Sequence, residues 1–271
     1  MGVPESRAPF AILGMSIFVA IDPMTPDWNP NMSPPRLLLL RMLFWAVTVS
    51  STATFAAPQA AGPLPGTVPP TKAIGMMANF PPVEPGVDQP PPAFFVRAAG
   101  AVARGGDPIV LPVFYDTVLY EGELVIVIGR RARNVSPAEA ARCILGYTCG
   151  MDGSPLVLDE NGQRDPARSL AGKSADGIAP IGPRVVPKLD PQGHDIVLRI
   201  NGEEVERANT RDLVWPPERI VSELSHALTL EPGDVIFAGA RNAIPKMRAG
   251  DVVEVEIDGI GKFTSKVVAA P

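Results

Sequence analysis

Three features of this sequence predict a β-dominated α+β domain. Short runs rich in Val and Ile recur through the C-terminal two-thirds, several bounded by Gly-Asp, Asn-Gly or Asp-Gly turn signals. Few segments carry helix signals, and two stand out. No solenoid-type repeat is present, so the strands are expected to form one large domain with extensions.

Residues 1–57 read as an N-terminal extension whose core, 32–57, has the layout of a secretory signal. Arg36 and Arg41 give a positive start, Leu37 to Leu40 and Met42 to Val49 a short apolar region, and Ala56 and Ala57 small residues for cleavage after Ala56. Arg41 breaks the apolar run, which falls short of the ~20 residues that span a bilayer. A periplasmic or secreted protein with no stable membrane anchor is expected. A second apolar stretch, Phe10 to Ala20, lies upstream, which makes Met24 and Met32 candidate starts. Residues 58–92 are rich in Pro, Gly and Ala and read as a loose lead-in. The globular domain is expected over 93–271.

Within that domain, Leu119 to Gly129 reads as a strand. Ser136-Pro137-Ala138-Glu139 is a capping box with proline at the first helical position, opening a helix expected to reach about Gly146. Leu156 to Ala171, with its Asp, Glu, Asn, Gly and Gln, reads as a long surface loop. Asp195 to Ile200 alternates as a strand and ends at Asn201-Gly202, a hairpin turn. Pro217 opens a helix with apolar residues at helical spacing. Pro232 to Phe237 and Gly250 to Ile257 are strands, the latter turning at Asp258-Gly259 into Gly261-Lys262-Phe263.

The 271 residues carry a formal net charge of -5 and no basic run, which argues against a nucleic-acid partner. Cys143 and Cys149 read as two buried thiols. With His194 and His226, both read as surface residues, they lack zinc-ligand spacing.

The chemistry begins at Tyr120-Glu121-Gly122-Glu123-Leu124. Residues two apart in a strand share a face, so Glu121 and Glu123 project side by side from an apolar segment. Packed like charges are costly unless protonated, paired or bound to a cation, and a hard divalent cation suits carboxylate oxygens. Taken alone, the pair reads better as solvated charges on an edge strand.

An ordered set of motifs changes that balance. Residues from about 93 to 268 resemble the catalytic C-terminal domain of the fumarylacetoacetate hydrolase family. The resemblance is carried by Tyr120-Glu121-Gly122-Glu123-Leu124 with Val127-Ile128-Gly129-Arg130, by Gly146-Tyr147-Thr148-Cys149-Gly150-Met151-Asp152, and by Gly172-Lys173-Ser174-Ala175-Asp176-Gly177 with Pro180-Ile181-Gly182-Pro183. Asn201-Gly202 through Asn209-Thr210, Leu230 to Ile236 and Gly250 to Val253 complete it. It implies a mixed β-sandwich roll, a homodimer, and Mg2+ or Mn2+, with Ca2+ as an alternative, held by Glu121, Glu123 and Asp152. It also implies chemistry on small keto acids through an enolate: carbon–carbon hydrolysis, decarboxylation, tautomerisation or hydration. Lys173 is then the catalytic lysine, holding a substrate carboxylate or moving a proton. Arg97, Tyr147, Thr210 and Arg241 are expected around the substrate. Asn209 supports the site or shapes a turn, and Asp176 organises its loop.

The resemblance breaks near the chemistry. Val83 stands where hydrolytic members place a lid histidine, after Asn79-Phe80, and Glu84 follows out of spacing. Arg97 replaces a lysine. Gly153-Ser154-Pro155-Leu156 replaces an Ala-Arg-Asp-like segment. Ala238-Gly239-Ala240-Arg241-Asn242-Ala243 replaces a threonine-rich loop, and Glu206 replaces a glutamine. A keto-acid enzyme is expected, with a non-catalytic binding protein on the same scaffold as the alternative.

Overall fold

The structure is a computed structural model that describes residues 70–82, 91–113, 115 and 117–270. The signal-like segment 32–57, Val83 and Glu84 lie outside the described residues. All described residues belong to the compact unit Ala56–Pro271.

The strands are β1 (Ala73–Met77), β2 (Ala93–Arg97), β3 (Val102–Arg104), β4 (Ile109–Leu111), β5 (Thr117–Ile128), β6 (Ile144–Leu156), β7 (Ala179–Ile181), β8 (Asp195–Ile200), β9 (Glu203–Asn209), β10 (Val235–Phe237), β11 (Ile244–Pro245), β12 (Val252–Ile257) and β13 (Gly261–Ala269). The helices are α1 (Pro137–Ala141), α2 (Pro166–Gly172) and α3 (Pro217–Ala227). One mixed sheet runs β2-β1-β10-β5-β6-β7-β3, with β11 added on β5, and the other runs β4-β13-β12-β8-β9. This is the β-dominated sandwich roll expected from the sequence.

The long β5–β6 hairpin is the spine. Its antiparallel register sets Glu121 opposite Asp152 and Glu123 opposite Gly150. Gly122, between the two glutamates, faces the other way: a Cβ there would lie 3.5 Å from Leu198 and 3.6 Å from Ile196. The second sheet therefore packs on the face that the glutamates avoid. The apolar half of β5, with Leu124 to Ile128 fully buried, supplies the core that holds this geometry.

The β8–β9 hairpin turns at Asn201 (φ 54°) and Gly202 (φ 85°), as the Asn-Gly pair predicts. In α3, Ile220, Val221 and Leu224 are buried on one face, and Arg133 Nη1 caps the helix end by donating to the carbonyls of Ser225 and His226. Cys143 and Cys149 are buried free thiols, as read.

Three expectations are corrected. The globular domain starts before Ala93: β1 lies inside the stretch read as a lead-in, pairs with β10 and β2, and buries Ala73, Ile74 and Met76. Asp234, itself buried, accepts hydrogen bonds from Thr71 Oγ1 and Lys72 N and ties this strand down. Next, α1 stops at Ala141 instead of about Gly146, because the Cys143 carbonyl is taken by the amides of Gly129 and Arg130 across the β5–β6 hairpin. Finally, the surface loop ends early in α2, which Asp165 caps by accepting from Arg168 N, with Pro166 at the first position.

Candidate metal centre

Glu121, Glu123 and Asp152 each offer one carboxylate oxygen, and those atoms lie within 4.8 Å of one another. Strand period and hairpin register produce this cluster. Glu121 and Glu123 share a face of β5, and Asp152 on β6 is paired with Glu121. Glu123 and Asp152 are buried, and Glu121 is nearly so. Glu123 Oε2 accepts a 2.6 Å hydrogen bond from the amide of Gly239, which fixes one carboxylate of the cluster to the loop after β10.

Two buried cations meet the three acids. Lys173, the residue that caps the C-terminus of α2, donates to Glu121 Oε2 at 2.6 Å and Asp152 Oδ2 at 2.7 Å. Arg97, at the end of β2, places Nη2 2.6 Å from Asp152 Oδ2. The Arg97 guanidinium also lies over the rings of Phe95 and Phe237, at 5.1 and 4.7 Å from their centroids. Phe95 can sit there because Gly75 faces it: a Cβ on residue 75 would be 2.2 Å from the ring. Burial pushes the carboxyls of Glu121 and Glu123 above the ordinary glutamate range, Glu123 well above it. Burial acts on Asp152 in the same sense, but Arg97 and Lys173 outweigh it and hold its carboxyl low. Lys173 is kept an ammonium by Asp152 and Glu121 against the cost of its own burial.

The residues fit a hard divalent cation. Asp152 Oδ1 is buried with no hydrogen-bond partner, in the middle of the cluster. An orphaned carboxylate oxygen at that position is costly unless something binds it. The donor set is all oxygen, which suits Mg2+, Mn2+ or Ca2+ and leaves coordination positions for other ligands.

A cavity of about 380 Å³ opens over the cluster, with Glu121, Glu123 and Lys173 on its floor. Met76, Met77, Phe80, Phe95 and Leu170 form apolar walls, and Arg164, Arg241 and Asn242 are polar wall residues. The expected substrate residues divide. Arg241 lines the cavity. Arg97 does not line it and is held on Asp152 instead. Tyr147 is turned away: it lies five residues from Asp152 on the same strand, hence on the opposite face, and lines a separate cavity with Arg130, Arg142 and Lys188. Thr210 is also absent from the cavity lining. Its hydroxyl accepts from His194 N, and Asn209 beside it donates to Asp195, so both build a turn. His194 is partly exposed and His226 is exposed.

Two residues have no site role in the sequence reading: Arg164, which lines the cavity, and Asn79, which lies beside it. Arg164 comes from the segment before α2, which folds back on itself through bonds from Asp159 N to the Gln163 carbonyl and from Asp165 N to the Val157 carbonyl. Asn79 is buried at the end of β1, where its Nδ2 donates to the carbonyls of Ala238 and Trp215 and its Oδ1 accepts from Trp215 N. It thus anchors the loop that carries Gly239 and Arg241.

Glu206 lies behind the same loop. It is buried, its Oε1 has no partner, and burial lifts its carboxyl to about 7, with Asn242 pulling the other way. The folded state therefore keeps a proton that the unfolded chain releases near pH 4.5, so this group costs stability as pH rises from about 4.5 to 7. Glu206→Gln should remove that cost. Thermal melts are expected to show a gain of up to about 3 kcal/mol above pH 7, several degrees in Tm, and none at pH 4. An equal gain at both pH values would contradict the buried-acid account.

Comparison with known proteins gives the following. The family model described as fumarylacetoacetate (FAA) hydrolase, C-terminal, matches residues 73–268. The 4-hydroxyphenylacetate degradation bifunctional isomerase/decarboxylase of Escherichia coli is 35% identical over 181 residues, which are 66% of this chain and 42% of that protein. The crystal structure of 5-carboxymethyl-2-hydroxymuconate delta-isomerase from Mycobacterium smegmatis superposes with TM-score 0.68 and 33% identity, covering 78% of this chain and 82% of that one. Maleylpyruvate hydrolase from Sphingobium sp. SYK-6, solved with manganese(II) and pyruvate, gives TM-score 0.63 and 29% identity, covering 75% and 73%.

Proposed function

Because this chain belongs to the fumarylacetoacetate hydrolase family, we propose that it is an enzyme that uses a divalent cation to act on a small keto acid, with enol–keto interconversion as the reaction its site fits best. The observation that carries this reading is the buried, partnerless Asp152 Oδ1 inside a three-carboxylate cluster at the floor of a cavity. Glu121, Glu123 and Asp152 would hold Mg2+ or Mn2+, with Ca2+ as the alternative. Bound there, the cation supplies stabilisation for negative charge developing on an enolate oxygen.

The chain's own groups do the rest. Lys173 presents an ammonium with three N–H donors, two of them engaged, at the cavity floor. The third is available to a substrate carboxylate, which orients the keto acid over the triad. Arg97 positions Asp152 from behind, and the Gly239 amide positions Glu123. Met76, Phe80 and Phe95 limit the water that reaches the floor. Hydrolysis of a carbon–carbon bond needs an activated water, and neither of the chain's two histidines lines the cavity. Tautomerisation needs only a proton moved between oxygen and carbon, and decarboxylation breaks its carbon–carbon bond by releasing CO2 without an attacking water, which explains the preference. Homodimerisation is proposed on the family likeness, and export on the residue pattern of 32–57.

The test is metal content with turnover. Purified protein should bind Mn2+ in a calorimetric titration and speed the conversion of enol to keto oxaloacetate, followed by the loss of enol absorbance. Binding of Mn2+ and oxalate without any product, on oxaloacetate or on acylpyruvates, would move the assignment to a non-catalytic binding protein. The absent lid histidine and the lost hydroxyls of Ala238 to Ala243 favour that second reading. A protein that binds neither metal nor keto acid would sink both.

A further inference from the structure

A second cavity, also of about 380 Å³, lies where Tyr147 points, on the face of β6 opposite Asp152. Three segments build it: Gly129 and Arg130 after β5, Arg142 with the first residues of β6, and Pro187 to Leu189 beyond β7. Backbone bonds lock them together. The amides of Gly129 and Arg130 donate to the Cys143 carbonyl, and Tyr147 and Val186 exchange two hydrogen bonds. Gly146 permits that approach, since a Cβ there would stand 2.4 Å from the Val186 carbonyl oxygen.

Arg130, Arg142 and Lys188 line this cavity, and no carboxylate does. None of the three side chains makes a hydrogen bond or ion pair among the described residues. Like charges gathered around one concavity favour an anion between them. Tyr147 adds a second, independent sign of a ligand. The residue is only 7% exposed, yet its hydroxyl has no hydrogen-bond partner among the described residues. Buried tyrosine hydroxyls ordinarily find one. Burial pushes its phenol well up, and the nearby acids Glu218 and Asp190 add to the effect, so the group stays an O–H donor. Ile144, Leu145 and Pro187 supply an apolar surface beside these donors.

We propose that this cavity binds a small organic phosphate, its phosphate group held by Arg130, Arg142, Lys188 and the Tyr147 hydroxyl, its organic part on Ile144, Leu145 and Pro187. A phosphate monoester carries up to two charges and three terminal oxygens, enough for two guanidinium forks, an ammonium and a hydroxyl. A carboxylate has one charge and two oxygens. The volume suits a small molecule. The site is separate from the metal centre and does not depend on the keto-acid reading.

Calorimetric titration of the full-length protein with phenyl phosphate at pH 8, where the ester is a dianion, tests it. Phenyl phosphate should bind about tenfold tighter than inorganic phosphate, because its ring leaves water. Arg130→Ala, Lys188→Ala and Tyr147→Phe should each weaken it about tenfold, and Arg241→Ala in the other cavity should leave it unchanged. None of the three removed groups has a partner in the protein, so these variants should melt normally. No binding of phenyl phosphate would overturn the site. Native affinity in Tyr147→Phe would reduce the cations to a solvated surface patch and overturn it too. Weakening by Arg241→Ala without weakening by Tyr147→Phe would move the phosphate to the metal cavity. Equal affinity for phenyl and inorganic phosphate would overturn the organic ligand.

Discussion

Adding Mn2+ to the metal-free protein should raise its Tm, and by more at pH 8 than at pH 5. Glu121 and Glu123 have carboxyls raised by burial, so the metal-free folded state holds protons at moderately acid pH that a cation must displace. Their raised values also mean that, without metal, stability declines as pH climbs above the unfolded glutamate value of 4.5. Metal binding restores it, by about 4 kcal/mol when the free ion is a thousandfold above its Kd. Asp152 works in the opposite sense. Its carboxyl is held low, so its contribution is present at neutral pH and is lost only on acidification below the ordinary aspartate range.

Asp152→Asn should abolish the metal-induced shift. The same change leaves Arg97, fully buried, without its carboxylate partner. Stranding a buried charge costs about 3–5 kcal/mol, so the metal-free variant should also melt about 10 °C lower. Differential scanning with and without Mn2+ reads both effects. A variant that kept the full metal shift would remove Asp152 from the ligand set.

Lys173→Met should lower kcat/KM by about 10²–10³-fold while metal still binds, because it deletes a fixed donor at the reacting end and keeps the length of the side chain. In the metal-free state Glu121 and Asp152 lose a cation, so the variant should gain more from added Mn2+ than the native protein does. This pattern separates a catalytic role from a purely structural one. A merely structural lysine would show normal turnover once metal had restored the fold. Unchanged activity in the loaded variant would therefore end the catalytic assignment.

Much of the scaffold could be read locally. The apolar, β-branched runs became strands near the expected boundaries, and Asn201-Gly202 turned where two left-handed residues were required. Local signals also misled. The capping box at Ser136 starts a helix, but strand pairing at Cys143 ends it sooner than periodicity suggested. Asp165-Pro166 is a helix start inside a stretch whose polar composition otherwise reads as loop. For Tyr147 the parity argument was also available: an odd separation from Asp152 puts it on the other face once both are known to share one strand. Glycines at 146, 150 and 153 disguised that strand, and they are there because a Cβ at each would collide with Val186, Val125 or Ile178.

Local periodicity alone sets Glu121 and Glu123 side by side, since a strand repeats every two residues whatever surrounds it. The chain's motif order carried the family likeness, with Asp152 and Lys173 as the companions of that pair. What those companions do to one another depends on contacts between distant parts of the chain. Asp152 faces Glu121 because of hairpin register, Lys173 spans both acids because α2 ends beneath them, and Arg97 is drawn onto Asp152 by the pairing of β1 with β2. Arg164 reached the cavity, and Thr210 did not, for the same reason. Backbone periodicity acts over a few residues, while charge pairing and burial act through space between residues that the chain holds far apart.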